Sequence, residues 1–318
     1  MLRMKRAKKT RAARSASRYD PTRSIVYALG ANVAIAVAKF VGAFFTGSGA
    51  LLAEALHSLA DSGNEGLLLW GRRQARRPPS ADHPLGHGRA TYFWSFIVAM
   101  LLFSTGGIAS IYEGIHKLQG HEGLQSPWIA VAILAFSAVA EGISQAIAMK
   151  QITRLRGDRS LWRWFRETRR SELLVVFSEN AAALVGLAIA LAAVLLAMAT
   201  GNDLYDAGGT IAVGVLLVVV ALILAAEIKS LLIGESAAPA VRDAIRDFLD
   251  AREEIVEIAS MITQQQGEAI MLNVKARMRR TTTAGELVAA IARCETALQT
   301  AFPQVKWIFF EPLPRSKD

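Results

Sequence analysis

Cysteine is all but missing, since Cys294 is the single thiol in 318 residues. An internal disulfide and a cysteine-based zinc ribbon are excluded, so a chelating site has to be assembled from His, Asp and Glu. Histidine is scarce as well: His57, His83, His87, His116 and His121 are the whole set, with none in the last third of the chain. Lys and Arg are absent from three short stretches, 46–48, 118–126 and 200–206, although the chain holds 36 basic residues against 27 acidic ones. The net charge of +9 is gathered in particular loops rather than along one module. That distribution argues against a nucleic-acid partner.

What is present is apolar and comes in blocks. Hydrophobic residues make up 53% and charged ones 20%, with a mean hydropathy of +0.31. Six apolar segments, 24–46, 49–71, 91–117, 127–149, 172–199 and 207–233, are each long enough to span a bilayer. The pattern predicts a polytopic α-helical membrane protein with six transmembrane helices in 24–234. A basic arm at 1–23, expected to be disordered and cytoplasmic, precedes them, and a soluble unit at 235–318 follows. The arm and the loops 72–90 and 150–171 are rich in Arg, whereas the alternate loops lack Lys and Arg. By the positive-inside rule both termini face the cytoplasm. The expected membrane is a bacterial plasma membrane; the Arg- and Ser-containing start also suits a mitochondrial transit peptide. Trp70, Trp94 and Trp128 fall at span ends, where such rings favour the headgroup layer. Trp162, Trp164 and Phe165, interleaved with Arg163 and Arg166, read either as a short helix on the inner surface or as a flexible basic loop.

The tail alternates between two periodicities. Residues 241–251 have helical spacing, 255–263 and 269–278 alternate as strands around a turn at Gln266 and Gly267, 285–302 returns to helix and 305–311 is a last strand. A compact α/β unit with helices on one face of a three-stranded sheet follows.

Ionisable groups inside hydrocarbon are costly and ask for a reason. The second segment places Glu54, His57, Asp61 and Asn64 at spacings of three and four, on one helical face. His57 and Asp61 offer an imidazole nitrogen and a carboxylate oxygen to one ion, a mixed set suited to Zn²⁺; a hydrogen bond between helices is the alternative. Asp61 lies about 10 residues, or about 15 Å, from the basic end of its helix, and Glu179 about 7 residues from the same side of the fifth segment. Asn180 stands next to Glu179. Asn32, at similar depth, reads as an interhelical hydrogen-bonding residue. In the following loop, Asp82, His83 and His87 form a candidate accessory metal site, with a Pro-Gly turn carrying solvated His as the alternative.

These residues resemble those of the cation diffusion facilitator family. The resemblance rests on Gly49-Ala-Leu-Leu-Ala-Glu-Ala-Leu-His57-Ser-Leu-Ala-Asp61, on His83-Pro-Leu-Gly86, and on Tyr205-Asp206-Ala-Gly-Gly-Thr-Ile-Ala-Val-Gly214 continuing to Glu227 and Glu235. It covers 24–318. It implies a homodimeric, proton-coupled exporter of divalent metal, with a tetrahedral site shared by the second and fifth spans and a ferredoxin-like cytoplasmic domain. The fifth span departs from the family pattern: Val176 stands where a first ligand is usual and Asn180 where Asp is usual. Glu179-Asn180-Ala181-Ala182-Ala183 is similar to a branch that carries Glu-Asp and alanines there, which implies a ligand role for Glu179. Arg89 and Glu235 are positioned like a family charge pair that joins the membrane and soluble parts. Since no His follows His121, the tail is expected to dimerise rather than to sense metal.

The expectation is therefore a Zn²⁺/H⁺ antiporter in a lipid bilayer, a homodimer with His57, Asp61, Glu179 and Asn180 as metal residues and no resident cofactor. Mn²⁺, Fe²⁺ or Co²⁺ are alternative cargoes, and a non-transporting scaffold or metal-responsive adaptor with a degraded site is the alternative class. No His-Glu-x-x-His helix is present, so a metalloprotease, and an enzyme generally, is not expected.

Overall fold

The computed structural model describes residues 22–46, 49–120 and 127–313. The expected basic arm, apart from its last two residues, and His121 lie outside the described residues. The helices α1 (Thr22–Thr46), α2 (Gly49–Ala75), α3 (90–120), α4 (Pro127–Arg156), α5 (Leu161–Glu167), α6 (Ser171–Thr200) and α7 (Leu204–Ile233) build a bundle. Among the described residues, the spans Ala90–Gln119, Trp128–Arg156, Ser171–Thr200 and Leu204–Ile233 are long and apolar enough to cross a membrane, by length and composition. Of the six expected spans, four therefore stand on composition. The α2 helix is also long, but it carries Glu54, Asp61, Glu65, Arg72 and Arg73. It packs against α1 and α3, and α1 packs against α4.

Small residues set the closest helix approach. A Cβ added at Gly214 on α7 would come within 2.7 Å of Ile111 Cγ1 and 2.9 Å of the Gly107 carbonyl on α3. Backbones this near are typical of membrane helices, whose association depends on packing rather than on the hydrophobic effect. The α3 helix widens into π geometry over Leu102–Ile108, where Thr105 Oγ1 donates to the Leu101 carbonyl at 2.7 Å. The bundle core holds Leu68, Tyr92, Val98, Leu174, Leu224 and Ile228.

The aromatic patch in the 157–170 loop is helical, but it does not act as one surface. Ser160 caps α5 by accepting from the Arg163 N–H. Trp164 turns into the bundle core, 2% exposed, while Trp162 remains outside and stacks on Phe165. Glu167 is held below its usual carboxylate range, chiefly by the hydrogen bond from Arg163.

Beyond Gly234, α8 (Pro239–Asp250), β1 (Ile255–Gln266), β2 (Ala269–Met278), α9 (Ala284–Ala301) and β3 (Val305–Pro312) follow in the expected order. β1 and β2 are antiparallel, β2 and β3 parallel, and β2 is central. Alternation along β2 buries Ile270, Leu272, Val274 and Ala276 on one face. With Ile245, Leu249, Cys294, Leu298 and Phe302 they form a second core, separate from that of the bundle. Thr283 caps α9 by accepting from the Glu286 N–H, and Glu286 reaches back to the Thr282 N–H, a reciprocal arrangement that fixes the helix start.

The β1–β2 turn docks the sheet unit on the bundle. Gly267 has a φ of +64°, and a Cβ there would lie 2.4 Å from the Gly88 carbonyl. Tyr92 donates its hydroxyl to the Gly267 carbonyl at 3.3 Å. Gln265 N–H donates to the Glu235 carbonyl at 2.8 Å. Replacing Gly267 by Ala costs about 1–2 kcal/mol in left-handed strain, and the clash with Gly88 adds to it. The expected outcome is a lower melting temperature and faster protease cleavage in the 233–239 connection, while Gly285→Ala, where the nearest neighbour is 3.9 Å away, leaves both unchanged.

Candidate metal site

The polar face of α2 points in two directions because successive helical residues are about 100° apart. Asn64 turns to α6 and donates Nδ2 to Glu179 Oε1 at 3.0 Å. Glu65 turns to α1, where Asn32 Nδ2 donates to its Oε1 at 2.8 Å. The interhelical role expected for Asn32 is therefore observed. Asn64, Glu65 and Asn32 are 7%, 1% and 7% exposed, so the Asn32–Glu65 bond is buried, while the bond to the half-buried Glu179 is partly so. A hydrogen bond to a charged group is worth about 1.5–3 kcal/mol net, and it offsets part of the cost of placing carboxylates among apolar helices.

Asp61 is half-buried one turn along α2 from Glu65. His57 lies one turn further on the same helix; its side chain and that of Glu54 fall outside the described residues. Glu65 and Glu179 are within electrostatic reach of each other, of Asp61, and of Glu141 on α4. Carboxylates gathered in a low-dielectric bundle call for positive charge, which a divalent cation or protons can supply. Among the described residues, no three His, Cys, Asp or Glu side chains converge at ligand distance.

Asn180 is placed differently from the expectation. It is 3% exposed, and its Nδ2 donates to Ser144 Oγ on α4 at 2.8 Å. One step along the helix from Glu179, it faces α4 rather than the Asn64–Glu179 contact. Val176 is 1% exposed in the apolar core. Of the fifth-span residues considered, Glu179 alone meets α2 there.

The candidate accessory site does not assemble as a triad. The His83 and His87 rings lie 4.3 Å apart, but Asp82 is exposed and no three-ligand group forms among the described residues. A tight turn, with Gly86 N–H donating to the His83 carbonyl at 2.8 Å, brings the imidazoles together.

The expected Arg89–Glu235 pair is replaced by another. Arg169 Nη1 lies 2.6 Å from Glu235 Oε2, and the Ser230 hydroxyl donates to the other oxygen. Arg89 lies against Gly234 instead, its Nη2 3.2 Å from where a Cβ would be. The loop after α5 delivers Arg169 to that carboxylate first, and Arg169 Nε also donates to the Ser236 carbonyl at 2.9 Å.

The sequence reading missed the link at the basic end of the site. Arg72, 5% exposed, places Nη1 3.2 Å from Glu172 at the start of α6 and Nη2 3.0 Å from Glu268 beside the docking turn. It thus ties α2, α6 and the sheet unit together. The signal was present as Arg72 spaced 11 residues, about three helical turns, from Asp61 on the same helix. Glu65, four residues from Asp61, was equally legible by spacing.

Removing the Asn64 amide leaves Glu179 without its described partner. A double-mutant cycle over Asn64→Ala and Glu179→Gln should yield a coupling of about 1–2 kcal/mol in unfolding free energy. Asn180→Asp should lower the melting temperature by burying a new charge beside Ser144, with no coupling to Asn64→Ala.

Comparison with known proteins gives a consistent family. Residues 25–233 match the family described as the cation efflux transmembrane domain. A Xenopus laevis protein named proton-coupled zinc antiporter SLC30A9, mitochondrial, is 35% identical over 216 residues, covering 67% of this chain and 38% of that protein. Metal tolerance protein C4 of Arabidopsis thaliana is 33% identical over 221 residues, 67% of this chain and 47% of its own. Mitochondrial metal transporter 2 of Saccharomyces cerevisiae is 37% identical over 78 residues, 24% of this chain and 16% of its own. The chain spans less than half the length of these curated relatives.

Proposed function

Because the chain belongs to the cation efflux family, we propose that it is a multi-pass membrane transporter that exchanges a divalent metal, Zn²⁺ first, for protons. The observation that carries this reading is the Asn64–Glu179 contact, which joins the polar faces of α2 and α6 inside a bundle whose core is mainly apolar. The proposed metal residues are His57, Asp61 and Glu179, with Asn64 holding the Glu179 carboxylate in place. Asn180 acts at one remove, through α4. The names of the relatives, a zinc antiporter and a metal tolerance protein, support the cargo class.

The mechanism follows from ligand chemistry. A metal ion takes neutral imidazole and ionised carboxylates, so metal and protons compete for the same atoms. Binding of Zn²⁺ at one membrane face displaces protons, and protonation at the other releases the metal. A bundle that presents the site alternately to the two sides converts this competition into exchange. Six spans, including α1 and α2, place the basic loops on the side that donates metal. The expected bacterial plasma membrane finds no support among relatives named as mitochondrial; the orientation argument depends on loop charge and holds in either setting. A homodimer with the sheet unit as its interface is part of the same proposal.

A second reading is favoured by one observation: with Val176 buried among apolar residues and Asn180 bonded to Ser144, α6 supplies a single carboxylate to the site. On that reading the chain is a scaffold that keeps the fold without transporting.

Proteoliposomes with an imposed pH gradient separate the two. Zinc entry coupled to proton exit is expected for the parent. His57→Ala and Glu179→Gln should each reduce the rate by more than about tenfold, the scale of losing one ligand or its support. A parent protein with no zinc flux and no Asp61-dependent zinc binding would make the scaffold the right reading.

A further inference from the structure

The basic end of α2 carries more positive charge than the bundle and sheet unit use. Arg72 is committed to Glu172 and Glu268. Arg73 and Arg77 are exposed, with no side-chain partner among the described residues. Trp70, Arg73 and Gln74 in the last turns of α2 and Arg77 just beyond its end line a cleft of about 350 Å³. Trp70, one of its lining residues, is 54% exposed. Trp94 Nε1 donates to Gln74 Oε1 at 2.7 Å, which fixes the amide, and the two guanidinium groups are the cleft's charged donors.

Arg77 also lines a second cavity of about 440 Å³ between α2, the 78–91 segment and the sheet unit. Lys306 and Trp307 from β3 close that cavity. Lys306, like Arg77, has no ion-pair partner among the described residues. The acids on its wall, Glu172 and Glu268, are the two that Arg72 already holds. Arg77 therefore stands between two cavities whose uncommitted charged side chains are cationic.

The geometry points to a binding site for the phosphate headgroup of an anionic phospholipid, held between Arg73 and Arg77 beneath Trp70. An exposed indole at a helix end marks the headgroup layer, and a guanidinium fork matches phosphate oxygens in pairs. A basic pocket at the end of membrane helices is the form such sites take. A choline headgroup carries its own cation to the same place and is disfavoured by Arg73 and Arg77. With its phosphate on Arg77, the lipid also lies beside the cavity that separates bundle from sheet unit, so an occupied site braces the docked arrangement. This inference rests on the bilayer placement of α2 proposed above, and not on metal transport.

The test uses the full chain, extracted from bilayers of equal phosphatidylglycerol and phosphatidylcholine and weighed with its retained lipid by native mass spectrometry. The expected result is phosphatidylglycerol enriched over the bulk ratio by about fivefold for each basic side chain engaged. Arg73→Gln with Arg77→Gln should return the ratio to that of the bulk. Arg246→Gln, an exposed charge on α8, should leave the enrichment intact. Because both cleft residues are exposed, the double variant should keep the parent's fold, checked by its melting temperature in phosphatidylcholine alone. A bulk ratio for the parent protein, or an enrichment the double variant preserves, would overturn the site while leaving the bilayer reading standing. Displacement of the lipid by inorganic phosphate at equal affinity would overturn it too, by making free phosphate the ligand. Failure of the chain to retain any phospholipid would fault the bilayer reading itself.

Discussion

A carboxylate placed among apolar helices must find a partner, and α2 is where this constraint is met. Along its length Glu65 is bonded by Asn32 of α1, Asn64 bonds Glu179 of α6, and Arg72 bonds Glu172 at the start of α6. Each link forces one face of α2 toward one particular neighbour. The helix is thus located by polar contacts at several depths, and its neighbours are located by it. Apolar packing alone would tolerate rotation of α2, since Leu side chains are nearly interchangeable across a helix interface; an amide aimed at a carboxylate is not.

The same constraint explains why the site is asymmetric. Two asparagines and an arginine serve the carboxylates that α2 and α6 bring inside, while the position that would supply a further carboxylate on α6 is an amide tied to Ser144. An amide in that place satisfies α4 without adding charge to a cluster in which Glu65 and Glu179 each already feel Asp61 and Glu141. Charge economy and the geometry of one helical turn therefore favour the same arrangement. In a low-dielectric interior each added carboxylate raises the cost for all the others.

The sheet unit is tied into this scheme at the basic end. Glu268 beside the Gly267 turn shares Arg72 with Glu172, so one guanidinium touches the two helices that bear the polar site and the sheet unit as well. Gly88 and Gly267 let the two backbones meet closely enough for this contact, and Arg169 fastens Glu235 at the connection. A movement that separates the basic ends of α2 and α6 has to break or re-form the Arg72 contacts, which gives the sheet unit a physical means of responding to the membrane part.

The places of the long helices, the order of strands in the tail, the turn at Gly267 and the polar face of α2 were legible in the sequence, because periodicity, chain breaks and charge in apolar runs are local properties; the ends were not, since α2 and α4 run past their apolar segments to Ala75 and Arg156. Spacing alone also put Asp61 and Glu179 at matching depth. Partners were not legible. That Asn180 faces Ser144, that Glu235 takes Arg169 rather than Arg89, and that Asp82 stays apart from His83 and His87 depend on the rotation of one helix against another and on where a loop returns. The sequence by itself determined that α2 and α6 would carry polar side chains into an apolar bundle; only the tertiary structure decided which neighbour each would bond, and that Arg72 would be buried with them, since a rotation of about 100° per residue separates one partner from another.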